Sequence, residues 1–160
     1  MKPAALEWSI DNCGISRAMA ILGERWTIVV LREIFSGVRR FDDLRDHTDI
    51  PRQVLTNRLQ SLVSQGILRR EPYQEPGSRQ RHEYRLTEKG FALYPVLVAV
   101  LEWGDRYLSD ADGSPFRIAH RDCDSTVHVR VSCADGHEVA KPRDLVFQPT
   151  PAARRRVSPG

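Results

Sequence analysis

From Arg52 to Arg70 the chain carries no acid, and the side chains able to do chemistry there are Arg52, Gln53, Thr56, Asn57, Arg58 and Gln60. Their chemistry is the reading of base edges: arginine pairs with guanine O6 and N7, and asparagine or glutamine with adenine N6 and N7. At about 100° per residue, Gln53, Thr56, Asn57 and Gln60 fall on one helix face, with Arg52 and Arg58 flanking it. A merely solvated face would be richer in Glu and Lys, and a face meant for another protein would display aromatics or leucines. Further along, Arg79 and Arg81 follow a Glu75-Pro-Gly-Ser78 turn. A basic hairpin tip of this kind suits phosphate or minor-groove contacts, which position a protein without specifying sequence. The plainer alternative is that these arginines only solubilise a loop.

The elements that must position these groups follow from pattern. Pro51 is tolerated at a helix start and Gly66 can close a helix in the left-handed conformation, so a helix is predicted from about Pro51 to Gln65. Val54, Leu55, Leu59, Leu62 and Val63 form its apolar stripe. Strands are predicted from about Leu68 to Tyr73 and from His82 to Leu86, making a hairpin beside that helix. Upstream, Ile15 to Leu22 and Trp26 to Phe35 read as helices separated around Gly23. The second has almost no polar face and is predicted to be the central buried helix. Phe41 to about His47 is a short helix, preceded by the connection Gly37-Val-Arg-Arg40. Arg39 or Arg40 would then lie near the backbone of docked DNA. Thr87 is a plausible N-cap for a helix from about Glu88 to Leu108, which Pro95 would bend. Its apolar surplus, with Phe91, Leu93, Tyr94, Val96, Leu97, Val98, Val100, Leu101, Trp103, Tyr107 and Leu108 all in one helix, predicts a second copy of the chain as partner. The alternative is that the long extension after residue 110 covers it.

Charge supports a polyanionic partner. Residues 1–51 hold seven Lys/Arg against eight Asp/Glu, residues 52–89 eight against four, and residues 90–160 nine against nine. The net charge of +3 therefore sits in the helix and hairpin, where it would displace counterions from phosphates. A chain of 160 residues, 41% hydrophobic and 28% charged, is expected to be a soluble globular protein with an appendage. No apolar run is long enough to span a bilayer and no secretory core opens the chain, so a cytoplasmic protein without membrane contact is expected. Three widely spaced cysteines suit a reducing compartment. Catalysis is not expected, because the sequence has no Gly-rich phosphate loop, nucleophile elbow or carboxylate pair framed by a catalytic histidine. No cofactor is expected either. A winged helix used only for protein contacts remains the alternative reading.

Five segments together resemble the HxlR-type winged helix-turn-helix regulators of bacteria, within the MarR-like winged-helix superfamily: Cys13-Gly-Ile-Ser-Arg-Ala, Gly23-Glu-Arg-Trp-Thr-Ile-Val-Val-Leu-Arg-Glu-Ile, Gly37-Val-Arg-Arg-Phe-Asp-Asp-Leu, Val54-Leu-Thr-Asn-Arg-Leu and Tyr84-Arg-Leu-Thr-Glu-Lys-Gly. The resemblance covers about residues 10–108. It implies an α+β, mainly α fold, with a DNA-binding and dimerisation domain over 1–110, and a homodimer formed through the first and last helices. It further implies a regulator, expected to be a repressor, acting on a pseudopalindromic operator in double-stranded DNA. Carried over by position, Arg40, Arg52, Gln53, Thr56, Asn57 and Arg58 would meet DNA, with Arg79 and Arg81 in the wing. Some members sense oxidants or electrophiles through a cysteine at the position of Cys13, so an oxidant or small-molecule effector is a further expectation. A thiol at a helix N-terminus favours the reactive thiolate, and Arg17 lies one turn on. Against this, Trp8, Ile10 and Ile15 can bury Cys13 as an inert small hydrophobe.

Residues 111–147 read as a small β-rich hairpin extension, with Thr126 to Cys133 alternating like a strand, and residues 148–160 as a disordered Pro- and Arg-rich tail. His120-Arg-Asp-Cys123 and Cys133-Ala-Asp-Gly-His137 supply two cysteines and two histidines of the kind that bind zinc. Relatives with similar tails look like a zinc ribbon with a second Cys-x-x-Cys pair. Here Gly136 stands where the last cysteine would be, and His137 has an unusual spacing for a substitute. A metal-free hairpin is the expectation.

Overall fold

The computed structural model describes residues 7–156 and divides the chain into two compact units, one spanning Glu24–Val129 and the other joining residues up to Gly23 with those from Arg130 onward. The larger unit begins with α2 (Arg25–Phe35), continues through α3 (Phe41–Thr48), α4 (Arg52–Ser64), β1 (Leu68–Tyr73), β2 (Arg81–Leu86) and α5 (Glu88–Phe91), and ends its helical part with α6 (Tyr94–Leu108). The smaller unit contains α1 (Gly14–Leu22). The fold is α+β and mainly helical, with a single two-stranded antiparallel sheet among the described residues.

Helix α2 is central, as its sequence predicts: Val30, Leu31 and Ile34 are buried and the helix touches α3, α4, α6 and β2. It also buries one charge. Glu33 is only 2% exposed, and its carboxylate accepts hydrogen bonds from the neighbouring Arg32 guanidinium and, at 2.7 Å, from His47 Nδ1 on α3. A carboxylate is retained in a core only when its oxygens are partnered, so this pair fixes α3 against α2. Between α3 and α4 the chain turns at Asp49, whose φ of 53° lies in the left-handed region that short polar side chains tolerate. Leu44, Ile50, Leu55, Leu59 and Leu62 are all buried and lock the two helices into one core. Helix α4 ends at Gly66 (φ 67°), where Gly66 N–H donates to Val63 O and Ile67 N–H to Leu62 O. These two hydrogen bonds satisfy two carbonyls left over by the helix and turn the chain directly into β1.

Strands β1 and β2 pair from Leu68↔Leu86 to Tyr73↔Arg81. Arg40 adds a bridge to Glu83, and Tyr84 N–H donates to Arg39 O at 2.8 Å, so the segment before α3 lines the free edge of β2. Thr87 caps α5 as expected, its hydroxyl accepting from Gly90 N–H at 3.1 Å. The single helix expected from Glu88 to Leu108 is instead two. Helix α5 stops at Phe91, and Pro95 lies in the first turn of α6. Proline has no N–H to give to the preceding turn, so it opens a new helix where the sequence reading had it bend an old one.

The run Thr126 to Cys133, predicted as a strand, makes only single bridges, Ala119↔Thr126 and Ser132↔Glu138. Its alternation gives an extended chain, but Val129 N–H is taken by the Glu102 carboxylate of α6 at 2.9 Å and not by a neighbouring strand. Residues 148–156, read from sequence as disordered, carry a turn at Thr150 and backbone bonds from Ser9 N–H to Arg154 O and from Arg156 N–H to Glu7 O. Arg155 lies over the Trp8 ring at 5.8 Å, which supplies the apolar cover that a Pro- and Arg-rich sequence does not advertise. No helix among the described residues is long and apolar enough to cross a membrane.

Candidate nucleic-acid interface

On α4 the apolar stripe decides which side chains face outward. Leu55, Leu59 and Leu62 are buried, and Arg52, Gln53, Asn57 and Gln60 are exposed on the other side with Thr56 half-buried between them. Gln53 Nε2 donates to Asn57 Oδ1 at 2.8 Å, and Thr56 Oγ1 donates back to Arg52 O at 2.9 Å. The Gln53–Asn57 pair leaves the Gln53 carbonyl and the Asn57 amide free, an acceptor and a donor side by side. Arg52 stands 5.2 Å from the Phe41 ring, held by the aromatic face and not by an acid.

Arg58 is not brought to this surface. Its side chain is 27% exposed, its guanidinium lies 3.9 Å from Glu24 at the start of α2, and its Nε is buried without a hydrogen-bond partner. The helical projection placed it as a flank, and the fold turns that flank toward α2.

Arg40 is on the hairpin side of the surface. It donates to Glu75 Oε1 at 2.7 Å and stacks 4.5 Å above the Tyr73 ring, so the connection before α3 and the wing loop are tied together. The Glu75 hydrogen bond holds the Arg40 guanidinium more firmly protonated than usual. Arg81 approaches Asp42 of α3 at 3.5 Å, whereas Arg39 and Arg79 are exposed. The wing turn itself forms as predicted, with Ser78 N–H donating to Glu75 O and Gly77 at φ 78°.

Sequence reasoning missed a cleft of about 410 Å³ between α4 and the wing, to which Phe41, Arg52, Thr56, Gln60, Arg70 and Tyr84 contribute. Arg70 and Tyr84 are directly opposite each other in the β1–β2 register. The two-residue period of the strands puts both on the face turned to α4, which is the signal that was available.

Cys13 is half-buried at the N-cap of α1. Its side chain makes no capping hydrogen bond, but the nearby backbone N–H groups of Ser16 and then Ile15 hold the thiol below its ordinary range, against a smaller opposing effect of burial. Ile10 and Ile15, offered above as its apolar cover, are each 71% exposed. His120 and Cys123 form one close pair, with Nδ1 and Sγ 3.4 Å apart, and Cys133 and His137 another at 3.5 Å.

The chain as a whole is similar to known proteins. Residues 21–112 match the model of the HxlR-like helix-turn-helix family. An HTH-type transcriptional regulator of Mycobacterium tuberculosis is 38% identical over 158 residues, covering 99% of each chain. A crystal structure assigned to a transcription factor superposes with a TM-score of 0.77 at 33% identity, over 86% of this chain and 95% of that one. The redox regulator HypR in its reduced form matches with a TM-score of 0.52 at 28% identity, over 57% of this chain and 90% of its own. The chain therefore belongs to the HxlR-like helix-turn-helix family of transcriptional regulators.

Proposed function

We propose that this protein is a homodimeric repressor that binds a pseudopalindromic operator in double-stranded DNA and acts in the cytoplasm. The observation that carries this reading is the acid-free exposed face of α4, where Arg52, Gln53, Asn57 and Gln60 stand beside a basic wing. In the proposed complex α4 lies in the major groove, Gln53, Thr56 and Asn57 contact base edges, and Arg52 joins phosphate or guanine. Arg39, Arg40, Arg79 and Arg81 meet backbone or minor groove. The Arg40–Glu75 pair and the Arg81–Asp42 approach are surface interactions worth little in water, and phosphate competes with both carboxylates for these guanidiniums. Arg58 acts in this scheme as a brace between α4 and α2.

The dimer rests on α6. Val96, Val100, Trp103 and Tyr107 form one exposed stripe at helical spacing, opposite the buried Val98. Two such stripes packed together would bury an apolar core and set two copies of α4 for successive half-sites, about 34–36 Å apart.

A second reading adds control by thiol chemistry. Cys13 combines partial exposure, a helix N-terminus and a lowered pKa, and HypR is named a redox regulator. In this reading oxidation or alkylation of Cys13 changes operator affinity.

Fluorescence anisotropy on the intergenic DNA upstream of the protein's own gene, across a salt series and with reduced and diamide-treated protein, tests both readings. Tight, salt-sensitive binding that prefers this DNA over random duplex is expected, with affinity altered by diamide only while Cys13 is present. Equal affinity for random duplex would favour a protein-contact role for the winged helix. An unchanged diamide response in Cys13→Ser would remove the sensor.

A further inference from the structure

The turn Cys133-Ala-Asp-Gly-His137 lies outside the surface assigned to DNA, and its geometry exceeds what its sequence predicts. Cys133 N–H donates to His137 O at 3.0 Å and Gly136 N–H to Cys133 O at 2.9 Å, closing a tight loop that the Ser132↔Glu138 bridge anchors. Gly136 at φ 84° permits the reversal. The loop places the Cys133 sulfur 3.5 Å from His137 Nδ1 and brings an Asp135 oxygen into the same cluster, all three ligand atoms lying within 4.8 Å of one another. Zinc bonds of about 2.0–2.3 Å set neighbouring ligands about 3.5 Å apart in a tetrahedron. The sulfur–nitrogen edge already has that length, and the Asp135 oxygen lies within 4.8 Å of both atoms.

We propose that Cys133, Asp135 and His137 bind one zinc ion, with water in the fourth position. Thiolate, imidazole and carboxylate together suit Zn²⁺ and not the hard, all-oxygen ions. On binding, the Cys133 S–H passes its proton to the buffer, His137 binds through neutral Nδ1 with its proton on Nε2, and Asp135 is already anionic. The metal-free expectation rests on Gly136 standing where a last cysteine would be and on the spacing of His137, and does not count Asp135 among the ligands. The His120–Cys123 pair is a useful contrast: its sulfur and nitrogen are 3.4 Å apart, yet among the described residues no third ligand is gathered beside them.

The test uses the full-length, reduced, chelator-stripped protein titrated with Co²⁺ as a coloured substitute for zinc. A thiolate-to-cobalt charge-transfer band that saturates at one metal per chain and is displaced by Zn²⁺ is expected. The band should be lost in Cys133→Ser and His137→Ala, persist in Cys123→Ser, and require about ten-fold more metal in Asp135→Asn. Absence of the band, its survival in Cys133→Ser, or its loss in Cys123→Ser would each overturn the assignment. Because DNA binding is not the readout, failure here leaves the regulatory reading standing.

Discussion

Helices α4 and α6 both bury one side and present the other to solvent, and the two exposed sides are opposite in kind. On α4 the outer face is Arg52, Gln53, Asn57 and Gln60; on α6 it is Val96, Val100, Trp103 and Tyr107. Water solvates the first at no cost and excludes the second, so one face is stable while waiting for a ligand and the other is not. The difference teaches that partner chemistry is written in which residues a helix leaves outside: α4 meets the core through Leu55, Leu59 and Leu62 and α6 through Val98, all apolar, so the inward sides do not tell the two apart.

The sharpest way to break the comparison is to make α6 resemble α4. Trp103→Glu with Tyr107→Glu should convert the proposed dimer to a folded monomer by sedimentation and weaken binding to the proposed operator by about 100-fold or more, because two half-sites no longer act together. A monomer that keeps full operator affinity would separate the two faces. Next in size is Glu33→Ala, which removes the buried carboxylate joining α2 to His47 and should lower unfolding free energy by about 1–3 kcal/mol in urea melts. Of similar or smaller size, Asn57→Ala should cost about 1–3 kcal/mol on the operator and nothing on random duplex, measured by competition anisotropy. Equal losses on both would take Asn57 off the base-reading face. Arg79→Ala should reduce the slope of log affinity against log salt by about one unit on either DNA. The smallest effect concerns α1: alkylation of Cys13 should have a pH midpoint below that of an ordinary thiol, since the backbone N–H groups at the start of α1 favour the thiolate. The thiolate fraction, and with it the rate, falls as pH drops through that midpoint.

Much of the larger unit was legible because its signals are local. Pro51 and Gly66 bracket α4, Thr87 caps α5, and the turn at Glu75–Ser78 joins two strands of matched length. What was not legible depends on contacts distant in sequence. Arg58 is drawn to Glu24, Arg40 to Glu75, and Val129 N–H to Glu102, and no periodicity encodes such pairings. The break between α5 and α6 is intermediate: Pro95 was visible, but whether it bends a helix or begins one depends on where the preceding helix ends. The surface residues Gln53, Thr56 and Asn57 were legible for the same reason as the core, being the complement of the leucine stripe. For Arg70 and Tyr84 the strand period offered only a shared face, and the paired register adds that they stand opposite each other in one cleft with α4.

Gly90 gives the junction between wing and α6 its mechanical character. A side-chain carbon there would stand 2.3 Å from Ile67 O and 2.9 Å from Leu86, so the α5 backbone rests directly on the roots of both strands. Thr87 closes the same joint by donating its hydroxyl proton to Gly66 O at 2.6 Å. The hinge expected of a short linker is therefore a weld. A displacement of α5 would be carried to the strand roots with little slack, and even Gly90→Ala would loosen that joint without touching either exposed face.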